Sequence, residues 1–321
     1  MHAIEAISLE KRFGTVQALA GISFSVEEGE TFGFLGPNGA GKTTTIRILT
    51  GMTEPSAGFG RIFGRDVVRE KIPARRNIGI VHETSNIYTD LSAWENLMFT
   101  ARLYNVGKKE RENRAQELLS VFGLADRKDE RTKGFSKGMK RRLTIAMGLI
   151  NNPRILFLDE PTSGLDVQSN LIIRDVIQRL TEEGVTIFLT THNIEEANIL
   201  CDRVAIINRG HIAAIDTPER LKKTIQSVQS IEVAFDPSGV VTTADLAGIE
   251  HVTDVKKLGD KFRLVTGDPP EVIEGVTEFA RRSNLRIISI TTLGPSLEDV
   301  FIRLTGLDRD TKGGKTLERG I

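Results

Sequence analysis

The run Gly36-Pro-Asn-Gly-Ala-Gly-Lys-Thr-Thr44 constrains this 321-residue chain more than any other stretch. It contains G-x-x-x-x-G-K-T over Gly36 to Thr43, between an apolar run, Thr31-Phe-Gly-Phe-Leu35, and a helix-like segment. Strand, glycine loop and helix form the setting in which such a loop binds phosphate. Gly39 and Gly41 let the backbone turn with its N–H groups pointing inward, and the positive end of the following helix adds to the same field. Lys42 supplies a full charge for the β- and γ-phosphates, and the Thr43 hydroxyl is a candidate Mg²⁺ ligand. Gly36, Asn38, Gly39, Ala40, Gly41, Lys42, Thr43 and Thr44 are therefore the candidate phosphate contacts.

A second acidic element follows later. Ile155-Leu-Phe-Leu reads as a buried strand ending in two carboxylates, Asp159 and Glu160. Nucleotide sites in α/β sheets sit at such strand ends. Asp159 is placed to hold Mg²⁺ through its water, and Glu160 to polarise an attacking water as general base. Around these motifs, strands alternate with helices. Ile22, Phe24 and Val26 share one face of a strand; Ala115, Leu118, Leu119 and Phe122 form a helical stripe stopped by Gly123. A helix over residues 167–183 has Ile172, Ile173, Val176, Ile177 and Leu180 on one face, and a strand over 185–190 follows. Strands interleaved with helices predict an α/β domain whose parallel sheet is covered on both faces.

Near residue 227 the texture changes at a polar joint, Ser227-Val-Gln-Ser230. Strand 231–235, a helical turn at 243–246, strands 252–258 and 261–266, helix 271–282 and strand 286–291 then give a βαββαβ, ferredoxin-like order. A helix over 296–304 follows, and the charged, glycine-bearing end from Asp308 reads as a frayed tail. The domain expectation is 1–226, then 227–306, then a tail over 307–321.

Composition removes other classes. Lys plus Arg at 43 against Asp plus Glu at 43 leaves no whole-molecule charge to attract nucleic acid or membrane. The longest apolar runs fall short of the about 20 residues a spanning helix needs. Glu5 and Glu10 interrupt the place of a signal peptide's apolar stretch, and the single Cys201 has no disulfide partner, so a cytosolic chain is expected.

With these residues in view, the chain resembles the nucleotide-binding subunit of ABC transporters over about residues 3–226. Its end resembles the drug- and lipid-exporter branch of the daunorubicin-resistance type. The diagnostic segment is Gly134-Phe-Ser-Lys-Gly-Met-Lys-Arg-Arg142, ahead of the Asp159 strand, where the family carries L-S-G-G-Q and basic residues. The resemblance implies a P-loop ABC ATPase domain with a parallel sheet core, an antiparallel β subdomain and a helical subdomain at about 86–150, joined to a small C-terminal ferredoxin-like α+β domain. It implies that Ser136 and the Gly138 amide bind the γ-phosphate of ATP held by a second subunit, so that two copies, or this chain and a similar subunit, close around two ATP. Phe13 fits the aromatic that stacks on adenine, Ser163-Gly-Leu-Asp166 the loop that couples the two sites, and His192 the histidine that contacts the γ-phosphate. Catalysis falls to Glu160, His192 and Lys42; ATP and Mg²⁺ are the implied ligands.

The chain departs from the family in carrying Phe135, Lys137 and Met139 in the signature and Glu83 in place of a glutamine. Glu83 still offers a carboxylate to Mg²⁺, so Thr43, Asp159 and Glu83 form the candidate metal set. The expected function is ATP hydrolysis that powers transport, in the export direction, through a separate integral-membrane permease at the cytoplasmic face of the membrane. A soluble ABC ATPase acting on nucleic acid or ribosomes is the alternative, and no nucleic acid is expected, since the chain has one phosphate loop, one signature and no coiled-coil insert. The basic run Lys108, Lys109, Arg111 and Arg114 reads as a solvated helix face, or as a surface near lipid headgroups. The helix containing Leu297, Val300, Phe301 and Leu304 matches a segment that ends many exporter ATPases of this branch and reads as packing rather than chemistry.

Overall fold

The computed structural model describes residues 2–224, 229–236 and 241–306. The chain divides into two compact units, Met1–Pro218 and Glu219–Ile321. The joint at 227 lies partly, and the tail over 307–321 wholly, outside the described residues.

The first unit holds strands β1 (His2–Phe13), β2 (Val16–Glu27), β3 (Thr31–Leu35), β4 (Ala57–Ile62), β5 (Arg65–Asp66), β6 (Ile78–Val81), β7 (Ile155–Asp159), β8 (Thr186–Thr191), β9 (Arg203–Asn208) and β10 (His211–Asp216). Its helices are α1 (Lys42–Leu49), α2 (Lys71–Arg75), α3 (Ala93–Leu103), α4 (Lys108–Val121), α5 (Lys137–Gly148), α6 (Val167–Glu182) and α7 (Ile194–Leu200); α8 (Pro218–Lys223) begins at the boundary. One sheet runs β2-β1-β4-β5 and its pairs are antiparallel. The other runs β10-β9-β3-β8-β7-β6, parallel from β9 to β6, with β10 antiparallel on the edge. This is the expected α/β arrangement of a parallel core with an antiparallel subdomain.

Burial explains the strand sequences. Every residue of β3, β7 and β8 is buried, so β3 and β7 read as near-continuous apolar runs rather than alternating ones, and β8 sets its apolar Ile187–Leu189 between buried threonines. Phe24 of β2 packs on Phe32, Phe34 and Phe188 with ring centres 5.4–5.9 Å apart, tying the two sheets together. A phenylalanine lost from such a core costs about 3–5 kcal/mol. Gly33 is required in β3, because a Cβ there would meet the Cys201 sulfur at 2.5 Å.

Helices α3, α5, α6 and α7 begin at side-chain caps. Ser92 and Glu95 form a reciprocal capping box on α3, and the Asp166 carboxylate accepts from Ser169 N–H at the start of α6. Ala115, Leu118, Leu119 and Phe122 are buried as their spacing predicts, whereas Ile172 sits half-buried at the edge of the α6 stripe. The predicted strand at 185–190 lies one residue later, at Thr186–Thr191.

The second unit contains β11 (Gln229–Phe235), α9 (Thr243–Ala247), β12 (Val252–Leu258), β13 (Lys261–Thr266), α10 (Pro269–Arg282), β14 (Ile287–Leu293) and α11 (Leu297–Thr305). Its sheet order is β12-β13-β11-β14 with antiparallel pairs, the ferredoxin-like order. Val272, Val276 and Ala280 of α10 pack with Ile231, Val233, Phe262 and Leu264 of the sheet, a core separate from that of the first unit.

Candidate functional site

The chemistry gathers at the C-terminal ends of β3, β7 and β8, which are neighbours in the parallel sheet. A cleft of about 600 Å³ opens there, lined by Ala18, Pro37, Asn38, Gly39, Gly41, Lys42, Thr43, Thr44, Glu83, Glu160, Ser163 and His192. Sequence reading had not pointed to Ala18, which reaches the cleft from β2.

The loop between β3 and α1 is held by close backbone approach. A Cβ on Gly36 would stand 2.4 Å from the Ile207 carbonyl, and one on Gly41 2.7 Å from the Ala18 carbonyl. Gly39 and Gly41 also have φ of 79° and 110°, the left-handed region that glycine occupies without strain. Ala40, 2% exposed, faces away from the cleft into the core. α1 then starts at Lys42 with no side-chain cap, which leaves its first amides for another acceptor.

Lys42 is buried, and its Nζ donates to the carbonyls of Gly36 at 2.7 Å and Pro37 at 3.3 Å. It also lies 3.2 Å from Glu160 Oε1, an ion pair whose geometry provides no aligned hydrogen bond to that oxygen. The other carboxylate oxygen, Glu160 Oε2, is 2.8 Å from His192 Nδ1 and accepts weakly from the His192 N–H at 3.4 Å. Lys42, Glu160 and His192 thus form one chain of contacts. Glu160 itself sits at φ 49°, a conformation that few residues with a side chain adopt, right after β7.

Asp159 lies beneath, 2% exposed. Its Oδ1 accepts from Thr190 Oγ1 at 2.6 Å and from Thr43 Oγ1 at 3.3 Å. Two hard oxygens, a hydroxyl and a carboxylate, therefore stand side by side at the start of α1, the donor type that Mg²⁺ takes. Glu83 lines the same cleft but stays exposed, and among the described residues no cluster of three acidic or imidazole groups is preassembled for a metal.

Other predicted residues lie elsewhere. Phe13, 49% exposed, does not line the cleft; Lys11 Nζ rests 5.1 Å from its ring centre. Ser136 and Gly138 also lie outside it, at the start of α5. The Ser136 hydroxyl caps that helix by accepting from Met139 N–H at 3.2 Å, and Gly138 packs so tightly on α6 that a Cβ would meet Ser169 Oγ at 2.1 Å. α5 opens at Lys137, directly after the Ser136 cap. The Lys137 ammonium sits where a Cβ on Gly164 would be, 2.4 Å away, so the departure from glycine at 137 is accommodated by a glycine opposite.

Three supporting residues escaped sequence reading. Thr190 fixes the Asp159 carboxylate. Glu196, 1% exposed on α7, accepts from Thr162 Oγ1 at 2.7 Å, and burial raises its carboxyl above the ordinary range. Arg141, on α5, is 3% exposed, and burial lowers its guanidinium to about 10 despite nearby carboxylates. A signal existed only for the last, as one basic residue in a run of three. Next to these, His82 is pushed down by burial, against the nearby Asp159 charge and with Arg47 and Arg141 adding to it.

The ABC transporter family model matches residues 19–163, the segment containing the phosphate loop, the signature and the paired carboxylates. Relatives match over nearly the whole chain. The daunorubicin resistance ATP-binding protein DrrA3 of Streptomyces coeruleorubidus is 36% identical, covering 97% of this chain and 98% of that protein. This chain belongs to the ABC transporter ATP-binding family. The Nod factor export ATP-binding protein I of Rhizobium sp. (strain N33) is 37% identical, over 96% and 98% of the two chains. A solved dimeric ATP-binding cassette, in a post-hydrolysis state bound to ADP and Pi, is 27% identical with a TM-score of 0.61, covering 67% of this chain and 98% of that one. The chain is an ABC-type ATPase, and among the described residues no helix is long and apolar enough to cross a membrane.

Proposed function

We propose that this chain is the ATP-hydrolysing subunit of an exporter, that two copies (or this chain and a similar subunit) close around two ATP molecules, and that hydrolysis powers transport through a separate membrane-spanning permease. The observation that carries this reading is the contact chain Lys42–Glu160–His192 in a single cleft, with Asp159 bonded to the lining Thr43. The residues suit the phosphate end of ATP: a buried ammonium, uncapped helix amides, and a carboxylate with one oxygen short of a hydrogen-bond partner. Phosphate oxygens would take Lys42 and the loop amides of Asn38 to Thr44. Glu160, aimed by its unusual backbone, would accept the proton of the attacking water, while His192 holds Glu160 Oε2 and offers its other ring nitrogen to the γ-phosphate. Thr43, Asp159 and Glu83 would hold Mg²⁺, whose chemistry when bound is neutralisation of phosphate oxygen charge.

Ser136 and Gly138 do not face the cleft of their own chain, which is what a site completed by a second subunit requires. The solved dimeric relative supports that reading, as do the names of the relatives, one of them an export protein, for the direction of transport. Phe13, exposed at the end of β1, would stack on adenine. The second unit, with no phosphate-contacting candidate, would serve assembly or regulation, and the assembly would sit at the cytoplasmic face of the membrane.

Lys42→Ala tests the phosphate reading. Removing the ammonium should weaken Mg-ATP binding at least about tenfold, the scale of one charge-assisted contact, in equilibrium dialysis with labelled ATP. Affinity within twofold of the parent chain would remove the argument. Co-purification of the tagged chain with a polypeptide of about six spanning helices would test the transport half.

A further inference from the structure

Five N–H groups of one guanidinium meet five backbone carbonyls near the cleft. Arg141 Nε donates to Pro161 O at 2.9 Å, Nη2 to Asp159 O at 2.6 Å and Glu160 O at 3.0 Å, and Nη1 to Glu83 O at 3.2 Å and, more closely, to His82 O. An arginine has five such donors and no more, so none is left over. The acceptors belong to two segments: His82 and Glu83 follow β6, and Asp159 to Pro161 end and follow β7. β6 and β7 are parallel neighbours, and beyond their last paired residues the carbonyls lose their strand partners. The planar fork takes over that role, which a lysine ammonium with three tetrahedral donors cannot reproduce.

The carbonyls include those of the candidate base and of its neighbour on the metal side. Glu160 holds φ 49°, a conformation that is strained in a residue with a Cβ. Its N–H is fixed by Thr190 O at 3.1 Å and its carbonyl by Arg141, so both faces of the strained turn are pinned. That turn is what points the carboxylate back at Lys42 and His192. Arg141 is carried on α5, the helix that Ser136 opens and whose Gly138 packs hard on α6.

We infer that Arg141 is the positioning residue through which the signature helix α5 sets the Glu160 turn and the Glu83 loop of the same chain, so that hydrolysis in one site depends on what the start of α5 engages in the other. This rests on the proposed roles of Glu160 and Ser136. A shift of α5 on engaging phosphate would be transmitted as a rigid displacement of five carbonyls, and a displacement of about 1 Å at a reacting group is worth roughly a hundredfold in rate.

The test is steady-state ATPase kinetics, nucleotide binding and thermal unfolding on the full chain with Arg141→Lys and Arg141→Gln. Arg141→Lys keeps the charge and loses the fork; Arg141→Gln removes the buried charge, so that no unpaired cation is left if the lysine variant fails to fold. The expected result is kcat lowered roughly a hundredfold, KM and Mg-ATP affinity within about twofold, and a Hill coefficient that falls towards one if the parent chain shows cooperativity. Arg142→Lys, on the same helix and bonded to the Phe122 carbonyl, is the control and should leave kcat unchanged. Parent-like kcat in either folded variant overturns the inference, as does an equal loss of binding and turnover, or failure of both variants to fold, since those outcomes make Arg141 a general structural support. Glu160→Gln run in parallel separates the two readings. If that variant still hydrolyses ATP, the proposed function has failed; if it is inactive while the Arg141 variants are active, only the positioning role has.

Discussion

Glu160→Gln should arrest hydrolysis and tighten nucleotide binding at once, and the structure sets the scale of both effects. The substitution keeps the side-chain shape, so the contacts to Lys42 at 3.2 Å and His192 at 2.8 Å remain within reach of an amide. What disappears is the charge and the ability to accept a proton from water. A positioned base contributes about 10²–10⁴-fold to rate, so turnover should fall below about 1% of the parent value. Binding moves the other way. Lys42 and Glu160 are both buried, 7% and 8% exposed, and the ammonium is held partly by a carboxylate that phosphate must displace. Unit charges about 4 Å apart at an effective dielectric near 20 attract by roughly 4 kcal/mol, much of it offset by desolvation. If a third of that is released to phosphate, ATP binds about tenfold tighter. The assays are phosphate release, isothermal titration with Mg-ATP, and light scattering behind size-exclusion chromatography, where ATP held without hydrolysis should shift the chain from monomer to dimer. Turnover above about a tenth of the parent rate would sink the base assignment. A variant that stays monomeric in saturating Mg-ATP would count against the composite site.

Two further substitutions probe the surroundings. Glu83→Gln restores the family's residue on the cleft wall; if the Glu83 carboxylate meets the metal, ATP affinity should rise and its dependence on Mg²⁺ should shift by roughly fivefold, the effect of a unit charge about 4 Å away in water. Superimposable titrations for the two chains would instead leave Glu83 to contacts with the permease. Glu196→Gln bears on pH: burial raises the native carboxyl, so the native state keeps a proton that the unfolded chain gives up from about pH 4.5, and parent stability falls as pH rises through the window up to the raised value. The variant should match the parent at or below pH 4.5 and melt higher at pH 7.5, each kcal/mol being worth about 2–4 °C in a unit this size; parallel melting curves across that range would refute the sign.

What could be read from the sequence follows from where each residue's partners lie along the chain. The phosphate loop is a local object: nine consecutive residues carry the turn, the charge and the hydroxyl, and the strand before it is apolar after Thr31 because both its faces are covered. Asp159 and Glu160 were legible for the same reason, as the end of a buried strand. The second unit's element order could be read too, since its strands and helices are short and separated by turn residues. Residues whose work is done across the sheet left no such trace. Thr190 is an ordinary threonine in an apolar strand until β7 and β8 pair and bring its hydroxyl 2.6 Å from Asp159. Glu196 sits in an acidic first turn of α7, indistinguishable from Glu195 beside it, yet only the former is buried against Thr162.

Arg141 marks the limit most clearly. Lys140, Arg141 and Arg142 are three cations in a row, and at 100° per residue a helix sends them in three directions. Arg142 turns to the Phe122 carbonyl, and Lys140 remains half-buried at the surface. Only the middle one points under the sheet, where the ends of β6 and β7 leave carbonyls in need of donors. Composition cannot rank the three, because the ranking depends on the rotation of α5 about its axis. That rotation is fixed by Gly138 against Ser169 on one side and by buried Leu143, Ala146 and Met147 further along. The residue that holds the candidate base in its strained conformation is thus selected by helix packing well away from the phosphate loop, and a substitution in that packing should reach catalysis through Arg141 without touching the nucleotide cleft.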